Sequence, residues 1–261
     1  MHTLSYDTNA NYVLNWGSTY VKSNLILRNL LLASTSSLHG QSPLYYLRSE
    51  LWEHFADADR LLFIPYARPG GISHDDYTNS VAGIFSDMDI TVEGIHNFDD
   101  PVAAIENAQA IFTGGGNTFV LVNALHKLGL MEPLRKVLFN GTPYLGTSAG
   151  SNICGINMMT TNDMPIVYPP SFKTLGLIPF NINPHYLDPI PDSKHMGETR
   201  ETRINEFHTQ NKLPVVGLRE GSWLQVSGDA IILNGIYTAR LFLPDQKPRE
   251  VQPGYDFSGL S

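Results

Sequence analysis

The sequence has one cysteine, no long apolar run and no basic leader. Because Cys154 is the only cysteine, no disulfide can form within the chain. A chain without disulfides is typical of a reducing compartment, and we therefore predict a cytoplasmic protein. No run of about 18 apolar residues is present, so no transmembrane helix is expected. Residues 1–24 are polar and lack the basic and then apolar order of a secretory signal.

Basic residues are also scarce. The 17 Lys and Arg residues are outnumbered by 25 Asp and Glu residues, which gives a formal net charge of −8. Because nucleic acid binding depends on cationic contacts to phosphates, this charge disfavours nucleic acid as a partner. The charge does not exclude an anionic small molecule, since a local arginine can outweigh the field of the whole protein.

Strand and helix patterns alternate through the first half of the chain. Continuous apolar runs at 30–34, 60–64 and 110–113 are typical of strands buried on both faces of a sheet. Segments with helical spacing follow them, and the first of these helices is predicted to begin at Ser42-Pro43. The alternation predicts an α/β fold, with an open, mostly parallel sheet and helices on both faces.

The remaining segments divide into an extension, a loop region and further elements. Residues 1–27 show no period and are predicted to form an N-terminal extension, which leaves 28–261 as a single domain. Residues 163–191 hold many prolines and are predicted to be loops with short strands. Patterns later in the chain predict a helix at 198–208 and strands at 215–218, 224–226, 230–233 and 240–243.

A Gly-Thr-Ser-Ala-Gly motif runs from Gly146 to Gly150, at the end of an apolar run. This pattern predicts a nucleophile elbow, in which a strand turns sharply into a helix with serine at the corner. Ser148 is then the candidate nucleophile, and the amide of Ala149 could donate to an oxyanion. The alternative is a turn of small residues with no chemistry.

A serine hydroxyl needs a base that accepts its proton, and that base is usually histidine. Of the nine histidines, His185 is the best candidate. It follows a short apolar segment and sits in a proline-fixed loop, with Asn183 nearby to hold the backbone. The alternative is a histidine that serves the structure alone.

Two carboxylates could orient such a histidine, and both lie in loops that follow apolar runs. Asp163 is our first choice, because its loop comes shortly after the helix that begins at Ser148. Glu220 is the second choice. The alternatives are an Asx-turn cap for Asp163, and an ion pair with Arg219 or plain solvent exposure for Glu220.

Three consecutive glycines offer backbone amides without side chains. Gly114, Gly115 and Gly116 follow the strand predicted at 110–113, where an oxyanion hole or anion site would need them. A plain turn is the alternative. No Gly-Lys-Ser/Thr follows, so this is not a Walker loop.

No metal or cofactor is predicted. His185, Asp188, Asp192 and His195 are close in sequence, but their spacing fits no known zinc motif. Cys154, on the helix behind Ser148, is most simply interpreted as a buried apolar residue.

Taken in order, seven short motifs resemble those of the peptidase E family, the aspartyl dipeptidases. The resemblance covers about residues 28–243, and the motifs together are far more specific than any one of them. They are Phe63-Ile64-Pro65-Tyr66-Ala67, Gly114-Gly115-Gly116-Asn117-Thr118-Phe119, Gly146-Thr147-Ser148-Ala149-Gly150, Thr161-Asn162-Asp163-Met164-Pro165-Ile166-Val167, Ile182-Asn183-Pro184-His185, Gly197-Glu198-Thr199-Arg200 and Glu220-Gly221-Ser222-Trp223.

The resemblance implies a glutamine-amidotransferase-like, flavodoxin-like α/β fold and a serine peptidase that removes N-terminal aspartate from dipeptides. It implies Ser148 as nucleophile and His185 as base, with Asp163 or Glu220 as the third member. The amides of Gly115 or Gly116 and of Ala149 match the oxyanion hole. Arg200 and Asn117 are the candidate substrate-binding residues, with Arg200 placed to pair with the aspartate side chain and Arg203 one turn further along the same helix face.

Two departures from the family pattern concern loops at the site. Arg219 precedes Glu220 where the pattern has proline, and one extra residue stands between His185 and Gly197. Two other functions remain open, namely a cyanophycinase-like peptidase acting on aspartyl polymers and a catalytically silent binding protein on the same fold. An amidotransferase is unexpected, because that chemistry uses cysteine at the elbow. We leave a homodimer open.

Overall fold

The computed structural model describes residues 27–188 and 197–260. The predicted N-terminal extension lies outside the described residues, apart from Leu27. Within the described ranges, no helix is long and apolar enough to cross a membrane.

The described elements alternate between strand and helix up to residue 152 and are mainly strands after residue 212. In chain order they are β1 (Asn29–Ala33), α1 (Arg48–His54), β2 (Arg60–Ile64), α2 (His74–Phe85), β3 (Thr91–Gly94), α3 (Pro101–Glu106), β4 (Ile111–Thr113), α4 (Thr118–Lys127), α5 (Met131–Phe139), β5 (Tyr144–Thr147), α6 (Ala149–Asn152), β6 (Asn181–Pro184), α7 (Arg200–Gln210), β7 (Val215–Leu218), β8 (Ser222–Ser227), β9 (Ala230–Gly235), β10 (Ala239–Phe242) and β11 (Arg249–Val251). Short 3₁₀ helices span Tyr45–Leu47, Ser86–Met88 and Ile95–Asn97.

Seven strands form the large sheet, in the order β3-β2-β4-β5-β1-β8-β9. The strands β1 to β5 are all parallel to their neighbours, and β8 and β9 extend the sheet in antiparallel fashion. The α/β fold and the mostly parallel sheet are therefore confirmed. Because parallel strands end at one edge, the loops that follow β1, β4 and β5 lie together there.

Helices cover both faces of this sheet, as expected. Successive residues of β1 point to opposite faces. Leu30 and Leu32 join a core that includes residues of α3, α4 and α5, and Leu31 and Ala33 join a second core with residues of α1 and α2. Both cores are closed to solvent, which fixes the register of the strands between them.

A second sheet of four strands, in the order β11-β10-β7-β6, was not predicted. The strand runs at 215–218 and 240–243 are confirmed, and β6 is a short strand within the predicted loop region. β6 and β7 are parallel, with Pro184 opposite Leu218. Residue patterns indicate that a segment is a strand but not which strand it pairs with, so the division into two sheets could not be read from them.

Two predicted helix starts differ from the structure. The helix expected from Ser42-Pro43 begins later, because Leu44 has a φ of 59° and interrupts it before the 3₁₀ turn that precedes α1. The helix expected from residue 198 begins at Arg200, because the Thr199 hydroxyl caps it by accepting the Thr202 N–H.

Candidate active site

Ser148 stands at the corner between β5 and α6, with φ 53° and ψ −110°. Such a conformation is strained for a side-chain-bearing residue. The two motif glycines permit it, because a Cβ on Gly150 would collide with the carbonyl of Thr113, and one on Gly146 would lie 2.7 Å from the carbonyl oxygen of Gly150. The predicted strand, turn and helix around the serine are therefore present.

His185 contacts both Ser148 and Glu220. Its Nε2 lies 2.9 Å from Ser148 Oγ, and its Nδ1 lies 2.6 Å from Glu220 Oε1. Because a carboxylate only accepts, Nδ1–H donates to Glu220, which leaves Nε2 to accept the serine proton. The side chains of His185 and Glu220 are 35% and 47% exposed, so the group is open on one side, where a substrate can reach it.

The two sheets meet at this group of side chains. Ser148 follows β5 of the large sheet, whereas His185 follows β6 of the small one. Glu220 lies in the turn that leads from β7 to β8, which carries the chain from the small sheet to the large one. The parallel pairing of β6 with β7 thus places histidine and carboxylate at adjacent strand ends.

The end of β1 holds both Ser148 and His185 in place. The Ser148 N–H donates to the Ala33 carbonyl at 3.1 Å. The N–H of His185, whose φ is 52°, donates to Ser34 Oγ at 2.9 Å, and that hydroxyl donates to the Leu218 carbonyl at 2.7 Å. Ser34 is fully buried. Sequence reasoning missed Ser34, although its place directly after a buried strand was an available signal.

Asp163 occupies a different position from the one expected. Its Oδ2 accepts the Thr118 N–H at 2.7 Å and the Thr161 hydroxyl at 3.0 Å. The carboxylate therefore caps the start of α4. This role resembles the structural alternative considered for Asp163, in which it is a capping residue. Among the hydrogen bonds of the described residues, none joins Asp163 to His185. Of the two candidate carboxylates, the structure brings Glu220 to the histidine.

Arg219 does not pair with Glu220, which was the alternative considered for that carboxylate. It instead pairs with Asp188 at 2.6 Å and with Glu250 at 2.9 Å, and its guanidinium lies 5.3 Å from the centroid of the Tyr186 ring. Burial alone would lower the pKa of Arg219, but the hydrogen bonds that it donates to Glu250 and Asp188 raise it. The arginine thus ties the segment after His185 to β11.

The glycine loop, residues 114–116, packs directly against Ser148. A Cβ on Gly115 would lie 3.1 Å from Ser148 Cβ. Gly116 has a φ of 149°, and a Cβ there would collide with the Ala67 carbonyl. Within the described residues, no acceptor is bonded to the N–H groups of Gly115, Gly116 or Ala149. These amides are the donors that an oxyanion hole requires.

Arg200, the first residue of α7, is partly buried. Burial, and then the charge of Arg203, lower its pKa, while the carboxylate of Asp163 acts in the opposite direction. Arg200 forms no ion pair with a residue of the described ranges. Arg203 pairs with Glu198 at 3.6 Å, and Glu201 pairs with Arg240 at 3.2 Å.

The side chain of Asn117 is occupied by protein contacts. Its Oδ1 accepts the Val120 N–H at 3.1 Å, which caps α4, and its Nδ2 donates to the Met164 carbonyl at 2.9 Å. Asn117 therefore links the glycine loop to the loop that carries Asp163.

The residues considered as metal ligands form no cluster in the described part of the chain. Asp188 bonds to Arg219, and Asp192 and His195 lie outside the described residues. No group of three or more His, Cys, Asp or Glu side chains converges within the described ranges. Cys154 is buried, and burial raises the pKa of its thiol.

Comparison with known proteins assigns residues 30–234 to the family described as Peptidase family S51. Peptidase E of Streptomyces coelicolor is 50% identical over 232 residues, which cover 89% of this chain and 94% of that protein. A Drosophila melanogaster protein named "Probable alpha-aspartyl dipeptidase" is 48% identical over 236 residues, covering 89% of this chain and 97% of that protein. Among solved structures, a peptidase from an acI-B1 actinobacterium superposes with a TM-score of 0.61 at 16% identity, over 90% of this chain and 98% of that one. That likeness concerns the fold.

Proposed function

The chain belongs to peptidase family S51 and is a serine dipeptidase, and we propose that it hydrolyses dipeptides with N-terminal aspartate. The observation that carries the mechanism is the continuous contact from Ser148 Oγ through His185 to Glu220. The names of the relatives support the substrate class.

In the proposed mechanism, Ser148 Oγ attacks the peptide carbonyl carbon while His185 Nε2 takes the hydroxyl proton. The histidine then gives that proton to the departing amine, and a water molecule hydrolyses the acyl-enzyme by the same route. Glu220 holds the ring in the tautomer with Nδ1 protonated and stabilises the imidazolium when it forms.

The backbone amides beside Ser148 stabilise the tetrahedral intermediate. Gly115 packs against Ser148, Ala149 is the next residue along the chain, and Gly116 follows Gly115 in the glycine loop. Fixed donors aimed at a developing oxyanion contribute about 3 kcal/mol each in other serine hydrolases. The absence of side chains at the two glycines leaves room for the substrate carbonyl.

Arg200 and Asp163 fit the two charges of an N-terminal aspartate. The substrate has a side-chain carboxylate and, a few atoms away, a free ammonium. Arg200 supplies a planar cation that can donate hydrogen bonds to both carboxylate oxygens. Asp163 lies close enough to influence the pKa of Arg200, and its Oδ2 is used by Thr118 and Thr161 while Oδ1 has no hydrogen bond to a described residue. We assign Oδ1 to the substrate ammonium.

The function is tested by incubating purified protein with a panel of X-Leu dipeptides and with a polymer of aspartyl-arginine units. We expect Asp-Leu to be cleaved fastest and the polymer to remain intact. Digestion of the polymer would favour the cyanophycinase-like alternative, and absence of hydrolysis of every substrate would favour the silent binding protein. The cytoplasmic location and the homodimer stay predictions.

The role of Arg200 gives a further prediction. Arg200→Met should lower kcat/KM for Asp-Leu by at least ~10², since the loss of a charge-assisted pair costs about 3 kcal/mol of transition-state binding. The loss should be much smaller for Asn-Leu, because that side chain carries no charge. Steady-state kinetics on both substrates measure the difference.

Arg203→Met is the matched control, because Arg203 lies one turn further along α7 and pairs with Glu198. It should change the two rates equally and by little. Equal losses on Asp-Leu and Asn-Leu in the Arg200 variant would show that Arg200 supports the fold and does not recognise the aspartate.

A further inference from the structure

Tyr77, on α2, contacts the glycine loop beside Ser148 through its hydroxyl. The hydroxyl donates to the Gly115 carbonyl at 3.2 Å, although Tyr77 precedes Gly115 by 38 residues in the chain. A Cβ on Gly114 would lie 2.4 Å from the same hydroxyl oxygen, so glycine is required there to leave room for it. The tyrosine therefore contacts two of the three glycines.

The Gly115 carbonyl belongs to the same peptide unit as the Gly116 N–H. The described residues contain no cis peptide bond, and the C=O and N–H of a trans peptide point in opposite directions. A donor that holds the Gly115 carbonyl towards α2 therefore holds the Gly116 N–H away from α2. That N–H has no acceptor among the described residues, and Gly115 packs on Ser148.

Few other contacts fix the conformation of the glycine loop. The Gly114 N–H donates to the Ile64 carbonyl at 3.3 Å. Beyond the loop, the Asn117 N–H donates to the Ala67 carbonyl at 2.7 Å. In the described part of the chain, no donor other than the tyrosine hydroxyl reaches a carbonyl of residues 114–116. Because glycine has more backbone freedom than any other residue, such a contact is needed to keep the loop in one conformation.

The Tyr77 side chain is itself held in place, and its hydroxyl stays protonated. Its ring packs edge-on against Phe63, with 4.9 Å between the ring centroids. The Arg68 guanidinium lies 4.8 Å from the centroid of the Tyr77 ring. Burial raises the pKa of Tyr77, and the charge of Arg68 opposes this shift without reversing it. The hydroxyl therefore remains a hydrogen-bond donor at neutral pH.

We propose that Tyr77 is a positioning residue of the oxyanion hole, whose hydroxyl orients the peptide unit so that the Gly116 N–H donates to the oxyanion formed at Ser148. The inference rests on the proposed function. Fixed donors stabilise a transition state because they need no reorganisation as the charge develops. A hydrogen bond to a carbonyl also polarises its peptide unit, which strengthens the N–H of that unit as a donor.

The test compares Tyr77→Phe with Tyr46→Phe in the full chain. Tyr46 is the matched control, because its hydroxyl also donates to a backbone carbonyl, that of Thr35, at 2.6 Å. Both tyrosines pack against the core of α1 and α2. Tyr77→Phe should lower kcat for Asp-Leu about tenfold, which is less than the loss of about 10²- to 10³-fold when a whole oxyanion donor is removed. Its KM should stay within about twofold of wild type, because the interaction belongs to the transition state.

Tyr46→Phe should keep both kinetic constants within about twofold of wild type. Thermal unfolding should show similar losses of stability for the two variants, since each removes one hydrogen bond to a carbonyl. A difference in kcat between them therefore reports on the oxyanion hole and not on stability.

An analogue of aspartate with a boronic acid in place of the α-carboxyl group gives a readout that a merely structural role would not change. Ser148 Oγ bonds to its boron as His185 takes the hydroxyl proton, and one boron-bound oxygen occupies the position of the oxyanion. The inhibition constant of this analogue should rise about tenfold in Tyr77→Phe, in step with the loss in kcat/KM. It should be unchanged in Tyr46→Phe.

A kcat of Tyr77→Phe within about twofold of wild type, or an unchanged inhibition constant, would overturn the positioning role while the aspartyl dipeptidase function stood. Equal falls in kcat in the two tyrosine variants would also overturn it, because the loss would then follow stability. Failure of wild type to cleave any Asp-X dipeptide would overturn both.

Discussion

Ser148→Ala should abolish the hydrolysis of Asp-Leu while leaving the fold intact. The variant removes one hydroxyl oxygen, and the backbone contacts that shape the corner, such as the Ser148 N–H to the Ala33 carbonyl, remain. Without Oγ the His185 base has no nucleophile to activate, and losses of about 10⁶ in kcat are typical of serine peptidases. Progress curves with Asp-Leu measure the rate, and thermal unfolding measures the stability.

Ser151→Ala is the matched control for this variant. Ser151 lies three residues further along the chain and is fully buried, whereas Ser148 is partly buried, and its hydroxyl bonds to the carbonyls of Ala33 and Gly146 and not to His185. We expect it to lower the free energy of unfolding by about 1 kcal/mol for the lost hydrogen bonds and to keep most of the activity. A fluorophosphonate should label wild type at Ser148. If Ser148→Ala retained a tenth of the wild-type activity, Ser148 would not be the nucleophile.

The serine was predictable from the sequence because its signal is local. The sharp turn needs small residues within two positions of Ser148, and Gly146 and Gly150 stand there for the close approaches that the structure shows. The apolar runs of β1, β2 and β4 are equally local, since a strand buried on both faces has apolar residues at successive positions. These segments lie within two residues of where they were predicted.

The partner of the histidine was not predictable in the same way. Which carboxylate meets His185 depends on the parallel pairing of β6 with β7, and the residues of a strand do not encode its neighbour. Nearness in sequence favoured Asp163, but its loop packs towards α4. Ser34 and Tyr77 were missed for the same reason, because each acts on a residue far along the chain, namely His185 and Gly115.

Glu220→Gln should lose more kcat than Asp163→Asn. A glutamine amide can donate to Nδ1 of His185 and hold the ring in the tautomer with Nε2 protonated, which cannot accept the proton of Ser148. The equivalent substitution of an orienting carboxylate costs up to ~10⁴ in kcat while the geometry is preserved. Asp-Leu kinetics at saturating substrate measure the effect.

Asp163→Asn should act mainly on KM. Its amide oxygen can still accept the Thr118 N–H, so the cap on α4 survives, but the charge that we assign to the substrate ammonium is lost. An interaction of that kind is present in the bound substrate as well as in the transition state, and its removal raises KM with a small change in kcat. The two variants therefore differ in which kinetic constant changes, and not only in how much activity remains.

Whether kcat or KM changes distinguishes the roles of Glu220 and Asp163 even if both variants are slow. Acetyl-Asp-Leu, which has no ammonium, provides the control: its slow hydrolysis should be equal in wild type and Asp163→Asn and strongly reduced in Glu220→Gln. A larger kcat loss in Asp163→Asn, with Glu220→Gln near wild type, would return the orienting role to Asp163. It would also mean that the 2.6 Å contact between His185 Nδ1 and Glu220 Oε1 contributes little to the reaction, because an orienting carboxylate must hold the ring while the proton moves.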